Sequence, residues 1–271
     1  MKGSSYREFL VRCRNNNCVL MGENKLKNIF ICYNYLTLYK AIYNIRNFYE
    51  ANENIILYRN SVSKLPSTAK ENFNIVEYEL RKVKNKGQLN KYKADFNIMI
   101  LNKQITKRIK HEIKKNQTNL IVFKDNGKIE STLIDRFKRI TNNKGKVILI
   151  EEGIGLYKTI LKDNMKKSIK KVVLQKLFNF SKYYMYDYPQ GYNPRVDKII
   201  CSDKNSMKTL EKGKNIEIIQ QTNIFSKKDV KFFIEKVLGY NNFDYDYLGD
   251  IEMIFLSQPL DDIGASLELE K

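Results

Sequence analysis

Lys146-Val-Ile-Leu-Ile-Glu-Glu-Gly-Ile-Gly-Leu-Tyr157 decides how the rest of the chain is read. Val147 to Ile150 is an apolar, mostly β-branched run, which predicts a strand buried on both faces. Glu151 and Glu152 end it, Gly153 and Gly155 break the extended chain, and a helical pattern runs from Leu156 to Leu161. Strand, acidic turn and helix in that order describe the carboxyl end of a parallel strand, where open α/β sheets place their ligands. Side chains alternate along a strand, so the two acids are expected to point to opposite faces, with one meeting a substrate. Burial would raise a carboxylate pKa there and neighbouring lysines would lower it. Gly153, Gly155 and Tyr157 become candidate substrate contacts by their place in the turn. The competing reading is a solvated acidic turn.

Working outward, the same alternation recurs. Asn28 to Tyr33 reads as a strand, and Leu38, Ile42, Ile45 and Tyr49 mark an amphipathic helix after it. Ile55 to Tyr58 and Asn74 to Tyr78 read as strands, with a loop around Pro66 between them. Phe96 to Leu101 reads as a fourth strand, followed by a basic helix from Ile105 to Lys115. Leu120 to Phe123 is a fifth, ending in Lys124-Asp-Asn-Gly127, which makes Asp125 and Asn126 candidate substrate contacts. A helix from Ser131 to Ile140 leads to the strand that ends at Glu151. Lys198 to Cys201 and Ile216 to Ile219 return to strand character, and Lys228 to Leu238 to helix. This β-α alternation predicts an α/β fold, a Rossmann-like doubly wound parallel sheet, over residues 25–240. Residues 1–24 read as a poorly ordered extension, and 241–271 as a linker and the first strand of a further, truncated domain.

A formal charge of +19 calls for an anionic partner: nucleic acid, the inner face of a membrane, or a phosphate- or carboxylate-bearing substrate. The Lys158 to Lys182 segment carries eight lysines and one acid, interleaved with apolar residues, and Tyr183 to Tyr192 adds five tyrosines. It reads either as a solvated helix face or as a basic-aromatic surface for anionic lipid or an acidic polymer. Nucleic acid is the weaker expectation, because no RNP-like or helix-turn-helix pattern is present. No apolar run is long enough to span a membrane. Cys13, Cys18, Cys32 and Cys201 lack zinc spacing, and His111 is the sole histidine, so no metal site is expected. Asp244 and Asp246 read as linker acids. Reduced thiols fit a cytoplasmic protein, with peripheral attachment to the inner membrane face as an option.

Glu151-Glu152-Gly153, with Ile254-Phe-Leu-Ser-Gln-Pro259 about a hundred residues later, resembles bacterial capsule and lipooligosaccharide sialyltransferases of glycosyltransferase family 52 and their polysialyltransferase relatives. The resemblance implies the N-terminal, acceptor-side half of a glycosyltransferase-B fold. It also implies transfer of sialic acid from a cytidine-activated donor, CMP-sialic acid, to a sugar hydroxyl of an oligosaccharide acceptor, inverting and without a metal or other cofactor. By carry-over Glu151 takes the general-base position, Glu152 the second acidic position and Gly153 the glycine. Ser257 and Gln258 fall in the second motif, on the nucleotide side. The family's His-Pro element has no counterpart: His111 stands in Lys107-Arg-Ile-Lys-His-Glu-Ile, a surface helix by its pattern. On this reading the chain is incomplete and inactive alone. The alternative is a non-catalytic basic module that binds a membrane surface or an anionic polysaccharide.

Overall fold

The computed structural model describes residues 26–60, 65–80, 88–113, 118–153, 169–181, 190–207, 216–222 and 226–240. Seven strands form one sheet: β1 (Lys27–Cys32), β2 (Glu53–Asn60), β3 (Ile75–Glu79), β4 (Thr118–Val122), β5 (Lys146–Ile150), β6 (Lys198–Cys201) and β7 (Glu217–Gln220). Their spatial order is β3-β2-β1-β4-β5-β6-β7, and every neighbouring pair is parallel. The order reverses between β1 and β4, which makes their carboxyl ends the topological switch point of the sheet. The expected doubly wound α/β architecture is therefore present.

Period-two alternation sorts the apolar side chains onto two cores. Ile29, Ile31, Leu120, Val122, Val147 and Leu149 face one side, against α3 (Gln88–Glu112) and α4 (Lys128–Ile140). Phe30, Cys32, Ile121, Phe123, Ile148 and Ile150 face the other. That side is covered by α1 (Tyr35–Phe48), α2 (Ser67–Asn72), and α6 (Lys227–Phe232) continued by a π-turn (Phe233–Val237). Strands buried on both faces carry apolar residues at nearly every position, which is why Val147 to Ile150 reads as a continuous run. Each fully buried side chain of this size contributes about 1.5–3 kcal/mol. The outer strands are less apolar in kind: β3 is only half-buried and β7 buries Ile218 alone.

One expectation fails. Phe96 to Leu101 is not a strand but the middle of the 25-residue helix α3. No Gly or Pro interrupts Gln88 to Glu112, so nothing breaks the helix. The buried positions Asp95, Leu101, Asn102, Ile105, Ile109 and Glu112 recur at three, four or seven residues, which is helical spacing. The short apolar run mimics a strand only when it is read without its flanks. The helix predicted from Ile105 is the second half of the same element. His111 lies near its end with a largely exposed side chain, as its pattern predicts.

The amino edge of the sheet is polar yet closed. Lys27, the first residue of β1, donates to Glu53 at 2.8 Å and pairs with Glu112 at the end of α3. Next to it, Asn119 donates to Asn28 at 3.0 Å and Asn28 to Asn54 at 2.9 Å, an amide ladder across β4, β1 and β2. Residues 1–25 and 241–271, with the expected extension, linker and last strand, lie outside the described residues.

Candidate functional site

The carboxyl edge is built from four strand ends. β1 runs directly into α1, and Asn34 caps that helix: its side chain accepts from the Thr37 amide at 2.8 Å, while Thr37 Oγ1 accepts from the Asn34 amide at 3.1 Å. This reciprocal box satisfies amides that a helix start otherwise leaves open. The rest of the Asn34 amide points across the sheet, where Nδ2 donates to Glu152 Oε1 at 3.1 Å. The Tyr33 hydroxyl donates to the other oxygen of the same carboxylate. Burial first, and then the charge of Glu152, raises the Tyr33 pKa far above its usual value, so the phenol stays a donor.

Glu151 goes the other way. Its amide donates to the Ile200 carbonyl at 2.8 Å, extending the β5–β6 ladder by one residue. Its carboxylate accepts from the Ser202 amide at 2.5 Å and from Ser202 Oγ, whose two contacts are 2.8 and 3.1 Å. The acid pair is thus split, one carboxylate tied to β1 and α1 and the other to the end of β6. Burial, followed by the charges of Glu151 and Asp203, pushes the neighbouring Cys201 thiol up to about 11.

Beneath the turn lies Lys40 of α1, only 4 % exposed. Its ammonium donates to the carbonyls of Glu151 and Glu152 at 2.6 and 3.3 Å. Burial lowers its pKa and outweighs the opposing pull of the two glutamates. A buried cation that grips both peptide carbonyls fixes the backbone from which the two acids diverge. At the end of β2, Arg59 pairs with Glu130 of α4 at 3.3 Å and stands 5.1 Å from the Tyr33 ring centre.

The remaining candidates separate. Asp125 is fully buried and accepts from the amides of Gly191 and Asn193 at 3.0–3.1 Å. Asn193 Nδ2 returns a bond to the Asp125 carbonyl at 3.0 Å, and Gln190 donates to the Phe123 carbonyl at 2.7 Å. Gly191 takes a φ of 90°, which glycine tolerates, so both amides can converge on one carboxylate. Asp125 therefore holds the 190–193 loop against β4, and Asn126 is half-buried beside it. Gly153 is exposed, and a Cβ built on it meets nothing within 4 Å. Gly155, Tyr157, Ser257 and Gln258 lie outside the described residues. No group of three or more potential metal ligands occurs among the described residues. A separate open groove of about 400 Å³ lies between the end of α1 and β6–β7, lined by Phe48, Ile219 and Gln221 among others.

Tyr33, Asn34, Lys40 and Ser202 went unnoticed in the sequence. Asn34 and Thr37, three apart just after an apolar strand, carry the cap signal. Thr37, Lys40 and Asn44 form a polar stripe at helical spacing among the apolar residues of Thr37 to Ile45, which marks an inward-facing polar contact. Ser202 has no signal beyond its place after a strand.

No family model matches the chain, and no curated protein does. Among solved structures it is similar to TcCGT1 in complex with UDP (9 % identity, 75 % of this chain and 52 % of that one, TM-score 0.44). It is similar also to the Photobacterium sp. JT-ISH-224 2,6-sialyltransferase in a ternary complex with CMP and lactose (15 %, 82 % and 47 %, 0.41). A third is a sialyltransferase from Photobacterium damselae, residues 113–497, described as its GT-B domain (16 %, 82 % and 59 %, 0.40). The chain spans about half the length of these structures.

Proposed function

We propose that the chain is the acceptor-side half of a sialyltransferase-type glycosyltransferase with a GT-B fold, acting on a nucleotide-activated donor and an oligosaccharide hydroxyl. The observation that carries this reading is the split acid pair at the carboxyl edge of a doubly wound sheet. In this reading Glu151 is the general base. Ser202 Oγ stands at hydroxyl-to-carboxylate distance from it, on an exposed residue, in the kind of position an acceptor hydroxyl would take. The base takes the hydroxyl proton as the oxygen attacks the anomeric carbon, the bond from that carbon to the donor's phosphate oxygen breaks and the nucleotide leaves as its phosphate anion. The transition state has oxocarbenium character, and inversion follows from direct displacement. Glu152, held by Tyr33 and Asn34, positions the turn together with Lys40. The open space at Gly153 leaves room for a sugar to approach. The strongly basic chain would attract a donor that carries phosphate and carboxylate.

The test offers the full-length protein CMP-sialic acid and UDP-sugars with oligosaccharide acceptors. Turnover of CMP-sialic acid is expected, falling about 10²–10⁴-fold in Glu151→Gln. Turnover of UDP-sugars alone would contradict the donor assignment. Full activity in Glu151→Gln would contradict the role of that residue.

A further inference from the structure

Eight large apolar side chains are substantially exposed among the described residues, and five of them fall on two helices. Tyr92, Phe96 and Ile100 follow one another at four-residue intervals along α3, forming a single outward stripe. Val173 and Leu177 do the same on α5 (Ile169–Phe178), which packs against α3. Phe96 is 49 % exposed and Leu177 63 %. An isolated exposed leucine is unremarkable, but a clustered set on two touching helices marks an interaction surface.

Among the described residues of these two helices the exposed charges have one sign. Lys93, Lys103, Lys107, Lys110 and Lys176 are exposed on the same two helices. The acids of α3 are turned inward: Asp95 and Glu112 are 4 % and 8 % exposed, paired with Lys128 and Lys27 respectively. The sequence of α5 contains no acid. Those two inward pairs also orient α3. Asp95 meets the first residue of α4, just past the carboxyl end of β4, while Glu112 meets the first residue of β1. The apolar half of α3 therefore lies toward the carboxyl edge, the edge that carries Glu151 and Glu152.

We infer that the outer face of α3 and α5 docks the protein on an anionic lipid bilayer. Apolar and aromatic side chains enter the headgroup–acyl boundary while lysines bind the lipid phosphates. Lysine is depleted at protein–protein interfaces, so an apolar face rimmed by lysines, with no exposed carboxylate among the described residues of its two helices, fits lipid better than a protein partner. A soluble polyanion would engage the lysines but has no use for Phe96 and Ile100. The surface makes no use of the acid pair, so it stands or falls independently of the transferase reading. Docking through it would bring the carboxyl edge of the sheet near the headgroups.

The test is vesicle flotation of the chain with phosphatidylcholine alone and with added phosphatidylglycerol. Binding is expected only with phosphatidylglycerol and is expected to weaken with salt. Phe96→Ser with Ile100→Ser is expected to lower partitioning by more than about tenfold. Lys103→Gln and Lys107→Gln are expected to lower it about fivefold each. These positions are exposed, so circular dichroism should be unchanged. No flotation with phosphatidylglycerol would overturn the proposal. So would salt-sensitive binding indifferent to the Phe96 and Ile100 changes, which would assign the face to a soluble polyanion. Self-association abolished by those changes, without flotation, would assign it to a second copy of the chain.

Discussion

At the amino edge of the sheet, Lys27 is 4 % exposed and clamped between Glu53 and Glu112, and three asparagines bond to one another across the strands. At the carboxyl edge, two glutamates of adjacent residues part company. They are half-buried, Glu152 held by Tyr33 and Asn34 and Glu151 by the amide and hydroxyl of Ser202, with exposed Ser202 and Gly153 at their sides. Both edges contain acids, amides and a buried lysine. The difference lies in what the lysine holds. Lys27 meets carboxylates, so charge is neutralised inside the fold. Lys40 meets peptide carbonyls, which leaves the glutamate side chains to reach other elements. The first arrangement stabilises a fold, and the second presents acids at a switch-point edge.

Breaking the closed edge should give the largest change in stability. Lys27→Met leaves Glu112 buried with Arg108, 2.7 Å away, as its main cationic partner, and is expected to cost about 3 kcal/mol in chemical denaturation. Its pH dependence follows from two opposite shifts. Burial disfavours both charges, but the partners prevail: the Glu112 pKa is lowered and the Lys27 pKa raised. The Glu112 contribution is present above the ordinary carboxylate pKa and is lost as pH falls through the lowered value. The Lys27 contribution is present below the ordinary lysine pKa and is lost as pH rises through the raised one. The gap between wild type and Lys27→Met should therefore be widest between about pH 5 and pH 10, and should narrow outside it. A gap independent of pH would mean the pair does not act through charge.

A smaller effect is expected where the two edges' logics meet in one residue. Asn34→Ala removes the cap of α1 and should cost about 1 kcal/mol. Asn34→Asp keeps a capping oxygen but replaces the donor to Glu152 with a second anion. It should retain most of the stability while impairing the site. Equal loss of stability in both variants would mean that the Glu152 contact, not the cap, supports the fold. The smallest effect belongs to Gly153→Ala, expected within about 0.5 kcal/mol of wild type because a Cβ there meets nothing. A rise in acceptor KM at that unchanged stability would locate the sugar beside the turn.

The buried strands were legible because a parallel strand covered on both faces carries apolar residues at nearly every position, as in Ile29 to Cys32 and Val147 to Ile150. The same rule misreads Phe96 to Leu101, where apolar residues on the inner and outer faces of α3 happen to be contiguous. The outer ones, Phe96 and Ile100, are exposed, so the run gave no period that would sort them from the buried ones. In the site, the two acids were visible because charge directly abuts an apolar run. Their partners were not, since Tyr33, Lys40 and Ser202 are 119, 111 and 51 residues away in sequence from the atoms they hold. Asp125 was visible for the same reason as the acids, but its environment is full burial against the 190–193 loop. Strand-end position alone does not distinguish an acid that faces a substrate from one that holds a loop.

The central claim is that the acids of the carboxyl edge serve chemistry, not folding. Turnover of CMP-sialic acid and the unfolding midpoint, measured side by side on Glu151→Gln, test it most directly. The account predicts activity reduced at least about hundredfold with stability within about 0.5 kcal/mol of wild type. Activity that is retained, or that falls only in proportion to a loss of folded protein, would contradict it.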